Sequence, residues 1–135
     1  MVDQGVDVVL DVFAPPRNPS EFHRVLRPTG RLIVVRPPVE RHLAELRGRI
    51  PPAMVTIDPG KEERLHQALD PPYFRVADTR HVEFTTPPLT RQEAVDLVGG
   101  MTPSARHLTH ADLTERGPLP ARATVSVLAT SYRPR

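Results

Sequence analysis

The first 36 residues contain the pattern that most restricts the fold of this 135-residue chain. Val6–Val12 is a short apolar, β-branched run, which is typical of a strand buried on both faces. Asn18, Pro19 and Glu21 then have the spacing of a helix N-cap, a first helical residue and a capping box. A second apolar run, Arg31–Arg36, follows within the roughly 30 residues that one βαβ unit needs. This order predicts parallel strands joined by a right-handed crossover.

The rest of the chain continues the alternation of helices and strands. The patterns predict helices over Glu40–Ile50, Lys61–Leu69 (capped by Asp58-Pro59) and Thr90 to Gly99-Gly100, a helical turn over Thr102–Leu108, and strands over Tyr73–Phe84 and Ala123–Tyr132. Most of the 17 prolines fall at the ends of these elements, including Pro28-Thr29-Gly30 after the first helix. The sequence therefore predicts an α/β fold without a clear domain boundary. Because the chain opens on a strand, we expect that strand to lack a neighbour on its outer edge.

Several classes of site are excluded by residues that the sequence lacks. The absence of cysteine excludes disulfides, Cys-ligated zinc and thiol catalysis. No two glycines have the G-x-G spacing of a nucleotide loop, and no H-E-x-x-H or G-x-S-x-G motif occurs. His107 and His110 could share a helix face beside Asp112, but we interpret them as surface histidines and predict no metal site. No apolar run approaches the roughly 18 residues of a membrane span, so we expect a cytoplasmic protein without a membrane anchor.

The basic residues leave two interpretations open. All but one of the 18 are arginine, whose fork suits phosphates, so RNA is a candidate partner. A coding bias toward arginine and proline explains the same composition, and the arginines form no cluster. The net charge of +2 does not decide between them.

One loop has the position of a ligand site. Asp11 to Pro16 follows the first strand, and ligands of open α/β sheets lie beyond the carboxyl ends of their strands. Its Phe and Pro side chains could form a wall for a flat base, while main-chain carbonyls accept hydrogen bonds from the base. A simple turn is the alternative. Asp7 and Asp11 are alternative catalytic carboxylates, although Asp7 at a strand start also suits a turn or cap.

Ordered segments of the chain resemble one enzyme superfamily. Residues 7–15 and 21–32 are similar to the fourth strand, following helix and fifth strand of class I S-adenosylmethionine methyltransferases, with Thr29 in place of a usual glycine. More specific motifs resemble the large-subunit rRNA guanine-N1 methyltransferases of the tylosin-resistance type: Phe13-Ala14-Pro15, the RHLAELR segment Arg41–Arg47, and Met101–His107. The similarity covers nearly the whole chain.

The resemblance implies both a fold and an activity. The fold is the C-terminal half of a Rossmann-like methyltransferase sheet with an antiparallel last strand, so that residues 1–135 form a partial methyltransferase domain. The activity is methyl transfer from S-adenosylmethionine to a guanine of large-subunit rRNA. The implied partners are that rRNA, and a second copy in a homodimer or a missing N-terminal half.

The family's zinc module, glycine-rich cofactor loop and acidic strand end are absent from this chain. We therefore expect a truncated chain that binds S-adenosylmethionine weakly or not at all, is inactive alone, folds poorly as a monomer and associates through its first strand. A non-catalytic RNA-binding or dimerisation module derived from a methyltransferase is the alternative, and whether the chain is an enzyme stays open.

The resemblance also implies roles for particular residues. The catalytic set, which would line the methyl-transfer site, is Phe13, Ala14 and Pro15. The substrate-binding set is Arg36 and Pro37 at the next strand end, with Thr102, Pro103, Arg106 and His107 from the late motif. For Arg106 and His107 a solvated helix end is the alternative. Methyl transfer to a ring nitrogen can proceed largely by alignment, so it does not require an acid–base pair.

Overall fold

A computed structural model describes residues 3–13, 18–38, 40–54, 60–101 and 103–135. The strands are β1 (Val6–Val12), β2 (Leu26–Arg36), β3 (Phe74–Thr85) and β4 (Thr124–Pro134). The helices are α1 (Pro19–Val25), α2 (Ala44–Arg47), α3 (Lys61–Leu69), α4 (Arg91–Met101) and α5 (His110–Leu113), with 3-10 turns at Pro52–Met54 and Pro103–His107. The predicted α/β class is confirmed, and α5 is a helix that the sequence patterns do not predict. None of the helices in this described part of the chain has the length and apolarity needed to cross a bilayer.

The four strands form one sheet in the order β1-β2-β4-β3. β1 runs parallel to β2, and β4 runs antiparallel to β2. The predicted βαβ unit and the antiparallel last strand are therefore confirmed. β1 and β3 are the two edges of the sheet, and no described strand pairs with their outer sides.

The first strand is less buried than its composition predicts. Alternate residues of a strand point to opposite faces, and on one face Val8, Leu10 and Val12 are 52%, 62% and 50% exposed. On the other face Val9 packs against the core and Asp11 is buried. The prediction of a strand buried on both faces is wrong for the described chain, because its helices and strands cover only one face of β1.

The chain divides into two compact units, each with its own core. The first unit comprises Met1–Pro38, Asp58–Val82 and Val127–Arg135. Its core consists of Leu26, Leu32, Val34, Leu69, Phe74 and Tyr132. The second unit comprises Val39–Ile57 and Glu83–Ser126. Its core consists of Leu43, Leu46, Ile50, Ala94, Val98, Ala105, Leu113 and Ala123.

Two helix starts differ in how they are capped. The Asn18 side chain makes no capping hydrogen bond to α1 and instead accepts one from the Ser20 hydroxyl, so the predicted capping box is wrong there. At α4 the predicted box is confirmed: the Thr90 hydroxyl accepts from Glu93 N–H at 3.1 Å, and the Glu93 carboxylate accepts from Thr90 N–H at 3.0 Å. α4 then continues through Gly99-Gly100 to Met101. The predicted cap at Asp58-Pro59 lies outside the described residues.

The segment Pro28-Thr29-Gly30 belongs to β2 and does not end the first helix, which stops at Val25. It forms an irregularity in the pairing with β1, since Val6 lies opposite Leu26 and Val8 opposite Arg31. A Cβ on Gly30 would lie 2.8 Å from the Asp7 carbonyl oxygen. Only glycine allows this close backbone approach, so pairing with β1 overrides the local turn signal.

Candidate functional site

The carboxyl ends of β1 and β2 meet at one edge of the sheet. Val12 lies opposite Val35 in the parallel register, and the N–H of Phe13 donates to the Val35 carbonyl oxygen at 2.9 Å. This hydrogen bond carries the chain one residue beyond β1 and fixes where Phe13 leaves the sheet. Phe13 and Arg36, two residues of the predicted site, are therefore brought to the same edge.

Phe13 has an unusual backbone conformation. Its φ of +57° lies in the left-handed region, which costs a non-glycine residue of the order of 1 kcal/mol. The residue is 53% exposed. Strained backbone at the end of a strand is characteristic of ligand sites. Ala14 and Pro15, the other members of the predicted catalytic set, lie outside the described residues.

Arg36 is engaged in an ion pair. Its Nε lies 3.1 Å from both carboxylate oxygens of Glu62 on α3, and its side chain is only 15% exposed. The ion pair fixes the orientation of the Arg36 guanidinium. The sequence identified Arg36 but not Glu62, because the two residues are 26 positions apart and no local pattern links them.

A groove of about 390 Å³ lies beside this ion pair in the first unit. Its lining is mostly apolar and comprises Val34, Arg36, Pro37, Pro38, Glu62, Leu65, His66, Leu69, Val76, Thr79, Leu128, Thr130 and Tyr132. The Tyr132 hydroxyl lies 3.1 Å from His66 Nδ1. Burial, together with the carboxylates of Asp70 and Glu62, raises the pKa of Tyr132, so the hydroxyl stays protonated at neutral pH. Pro37 is one of the residues that line this groove.

The late motif forms a 3-10 turn in the second unit. Arg106 and His107 are exposed at its end, and the neighbouring Ala105 is buried in the core. Pro103 lies in the same turn, whereas Thr102 is outside the described residues. An exposed arginine and histidine anchored by a buried neighbour can contact an external ligand, and they can equally form a solvated end.

The acidic residues considered as alternatives have structural partners. Asp112 caps α5: it accepts from the backbone N–H and the hydroxyl of Thr109, and these hydrogen bonds lower its pKa. Asp7 forms an exposed ion pair with Arg27 at 3.1 Å. Asp11 lies buried within β1. Asp7 therefore pairs with a basic side chain, whereas the sequence suggested a turn or cap as its structural role, and Asp112 belongs to the capping box of α5.

The RHLAELR segment has a structural role that sequence reasoning missed. The backbone N–H of Leu43 donates to the Thr124 carbonyl at 2.7 Å, and Thr124 N–H donates to the Glu45 carboxylate at 2.9 Å. Ser126 N–H donates to His42 Nδ1 at 3.1 Å. Residues 42–45 therefore hold the first residues of β4, and we call this arrangement the β4 clamp.

The clamp explains why the predicted helix over Glu40–Ile50 is wrong over most of its length. Leu43 has a φ of +52°, which no helix accommodates, because its N–H turns toward β4. Only the single turn α2 follows. Arg41, at the start of the segment, makes a two-point ion pair with Glu83 at 2.8 and 2.7 Å.

Comparison with known proteins confirms the predicted resemblance. It is 40% identical, over 99% of its length, to a candidate 23S rRNA (guanine-N(1)-)-methyltransferase of Micromonospora griseorubida. The chain is a relative of the 23S rRNA guanine-N1 methyltransferases. It is also 36% identical, over 98% of its length, to the 23S rRNA (guanine(748)-N(1))-methyltransferase of Streptomyces fradiae.

The match to these guanine-N1 methyltransferases is partial. The chain spans 44% and 46% of their lengths, corresponding to their C-terminal half. No protein-family model matches it. A crystal structure of a candidate methyltransferase from Bacillus halodurans covers 98% of the chain, at a TM-score of 0.53 and 12% identity. That likeness concerns the fold, and it confirms the predicted Rossmann-like methyltransferase architecture.

Proposed function

We propose that this chain is the C-terminal half of a methyltransferase domain and supplies the base-facing side of its active site. In this proposal the assembled enzyme transfers the methyl group of S-adenosylmethionine to N1 of a guanine in large-subunit rRNA. S-adenosylhomocysteine is left, and the proton that N1 carries is lost to water. The observation that carries the proposal is the 40% identity to a guanine-N1 methyltransferase relative along 99% of the chain. The exposed, strained Phe13 at the carboxyl edge of β1 supports it.

The chain's own residues would bind and orient the base. Phe13, with Ala14 and Pro15 after it, would form an apolar wall against which a guanine ring stacks. Arg36, fixed by Glu62, and Pro37 would form the second rim of the cleft. Holding the base so that N1 faces the methyl donor lowers the barrier through orientation, which can contribute several kcal/mol.

The RNA contacts would come from the second unit. Arg106 and His107 are exposed, and arginine can hydrogen-bond to phosphate through two donors at once. With Thr102 and Pro103 they complete the predicted substrate-binding set. Substitution of Arg106 should weaken binding to an rRNA hairpin and reduce its salt dependence by about one phosphate contact.

The methyl donor would be held mainly by the other half of the domain. The chain contains no G-x-G spacing, which the cofactor loop of such a sheet requires. The unpaired edge of β1 and the exposed Val8 and Leu10 offer a surface on which that half could continue the sheet. We therefore propose that the binding partner at β1 is an N-terminal methyltransferase half.

Calorimetry tests whether this chain alone binds S-adenosylmethionine or needs the N-terminal half to do so. Titration of S-adenosylmethionine into the chain alone should give no measurable heat of binding. Co-expression with the N-terminal half of the Streptomyces fradiae relative should give a complex that copurifies and binds S-adenosylmethionine. Micromolar binding by the 135-residue chain alone would contradict the proposal, and so would failure of the two halves to copurify.

A further inference from the structure

The groove of about 390 Å³ in the first unit is bordered by α3 and by strands of the sheet. α3 contributes the side chain of Leu65, and the sheet contributes those of Val76 and Leu128. Val76 and Leu128 are 41% and 37% exposed, so their apolar surface is available to a ligand. Sites for small ligands have volumes from roughly 300 Å³ upward and combine apolar walls with a few polar groups. The groove therefore has the volume and the lining of a ligand site.

The volume of the groove restricts what it can hold. An α-helix is about 10 Å wide and rises about 5.4 Å per turn, so a single turn occupies roughly 420 Å³. The groove is smaller than one such turn and cannot take up a helix of a protein partner. A flat group such as a nucleobase fits within it. The volume thus favours a small planar group over a segment of polypeptide.

Two hydroxyl groups in the groove suit the edge of a base. The Oγ1 atoms of Thr79 and Thr130 are 3.5 Å apart, at the outer limit of a hydrogen bond. Such a long contact is weak, so each hydroxyl can turn toward a ligand at little cost. A hydroxyl both donates and accepts, and the edges of nucleobases carry both donors and acceptors.

The charges of the groove favour a base over a phosphate. The charged residues of its lining are Arg36 and Glu62, which form an ion pair at 3.1 Å. Phosphates are held by cationic side chains, and here the positive charge of Arg36 is compensated by a carboxylate. A guanidinium held in place in this way can still stack against a base through its flat face.

The groove begins at the edge of the sheet that carries the candidate site. Arg36 lines the groove, and it follows Val35, whose carbonyl accepts from the N–H of Phe13. Phe13 belongs to the wall against which the target guanine would stack. A nucleotide next to that guanine in the RNA is therefore within reach of the groove. Proteins commonly recognise RNA through such unstacked bases of single-stranded segments.

We propose that the groove binds the base of the nucleotide adjacent to the target guanine. The faces of this base would contact Val76 and Leu128, and its edge would hydrogen-bond to Thr79 and Thr130. This subsite rests on the proposed function, and it allows the enzyme to select its position in the RNA by two bases instead of one.

The fluorescence of 2-aminopurine tests the subsite directly, because it rises when the base leaves an RNA stack. The probe is a fragment of 23S rRNA around guanine 748, the nucleotide in the name of the Streptomyces fradiae relative. The label stands immediately before that guanine in one fragment and immediately after it in another. Titration of this chain should raise the fluorescence of one of the two fragments, and no rise in either would overturn the proposal.

Thr79→Trp tests whether the labelled base lies in the groove. Thr79 is exposed on β3, so a larger ring at this position should leave the fold intact and occupy part of the groove. The variant should show no fluorescence rise and bind the fragment about tenfold more weakly, since one base contact contributes on this scale. Ala77→Trp is the matched control, because Ala77 is exposed on the same strand outside the lining of the groove. Equal effects of the two substitutions would overturn the proposal.

Kinetics distinguish failure of the subsite from failure of the proposed function. In complex with the N-terminal half of the relative, Thr79→Trp should raise the KM for the rRNA about tenfold and change kcat by less than about twofold. Methyl transfer with an unchanged KM would refute the subsite alone. A complex without methyl transfer, but with a fluorescence rise that depends on Thr79, would refute the proposed function and support the subsite. Loss of copurification with the N-terminal half in Thr79→Trp would show that a protein side chain fills the groove, and would also overturn the proposal.

Discussion

Replacement of His42 should show how much its hydrogen bond in the β4 clamp contributes to the free energy of unfolding. Its Nδ1 accepts from the N–H of Ser126, a residue that is fully buried. His42→Ala leaves that N–H without its acceptor, which costs about 1–3 kcal/mol. His42→Asn keeps an acceptor oxygen near the position of Nδ1, so it should restore at least half of the loss. Urea unfolding followed by circular dichroism gives both values, with the exposed His107→Ala as the control, expected within about 0.5 kcal/mol of the unmodified chain.

The same hydrogen bond predicts a pH dependence. Burial and the nearby charge of Arg47 lower the pKa of His42 below its ordinary value of 6.5. The unfolded chain then takes up a proton at His42 near pH 6.5, while the folded chain does so only at lower pH. The contribution of His42 to stability is therefore complete above about pH 7 and decreases as the pH falls.

The His42→Asn variant distinguishes the protonation of His42 from the protonation of carboxylates, which also changes stability as the pH falls. It should lose less stability than the unmodified chain between pH 7 and pH 5, because it has no imidazole to protonate. Equal destabilisation by His42→Ala and His42→Asn, or an unchanged pH dependence in His42→Asn, would refute the reasoning about the clamp.

Three further predictions concern single positions. Phe13→Gly relieves the left-handed backbone but increases the entropy of the unfolded chain, so the free energy of unfolding should change by less than about 1 kcal/mol. In the assembled enzyme the same variant should lose most methyl transfer, and unchanged transfer would remove Phe13 from the base-facing wall. Leu10→Lys should change the free energy of unfolding by less than about 0.5 kcal/mol, since Leu10 is 62% exposed, but it should prevent copurification with an N-terminal half. As a contrast, Leu32→Ala, at a buried position, should lower the free energy of unfolding by about 2–5 kcal/mol. Thr90→Ala removes the cap of α4 and should cost about 1 kcal/mol in urea unfolding, and no change would mean that the Glu93 carboxylate alone suffices.

The sequence predicted those elements whose signals are local. The apolar run of β1, the Thr90–Glu93 capping box and the alternating pattern of β4 each lie within a few residues, and each element forms where expected. The parallel pairing of β1 and β2 followed from the short crossover between them. Local periodicity is sufficient to predict an element when contacts with distant parts of the chain do not favour a different conformation.

The predictions that are wrong concern segments whose conformation is determined by contacts with residues distant in sequence. Pro28-Thr29-Gly30 reads as a turn but is drawn into β2 by pairing with β1. Leu43 has helical spacing but leaves the helix to bond with Thr124, 81 positions away. No pattern within a short window contains these partners.

The candidate site shows the same division. The position of Phe13 after β1 was predictable from the motif, because strand ends are marked in the sequence. Its left-handed backbone was not, since no local pattern encodes a positive φ at a phenylalanine. Likewise Arg36 was identified as a rim residue, whereas its fixed orientation depends on Glu62 from a helix later in the chain.

A chimeric enzyme tests the central claim most directly. This chain would replace the matching half of the Streptomyces fradiae relative, and the chimera would be incubated with S-adenosylmethionine and large-subunit rRNA. A methyl group on guanine N1 blocks base pairing, so reverse transcription stops at the modified nucleotide. We predict a reverse-transcription stop at a guanine, which requires S-adenosylmethionine and disappears in the Phe13→Gly chimera. A soluble, folded chimera that binds S-adenosylmethionine and the rRNA but leaves every guanine unmodified would contradict it.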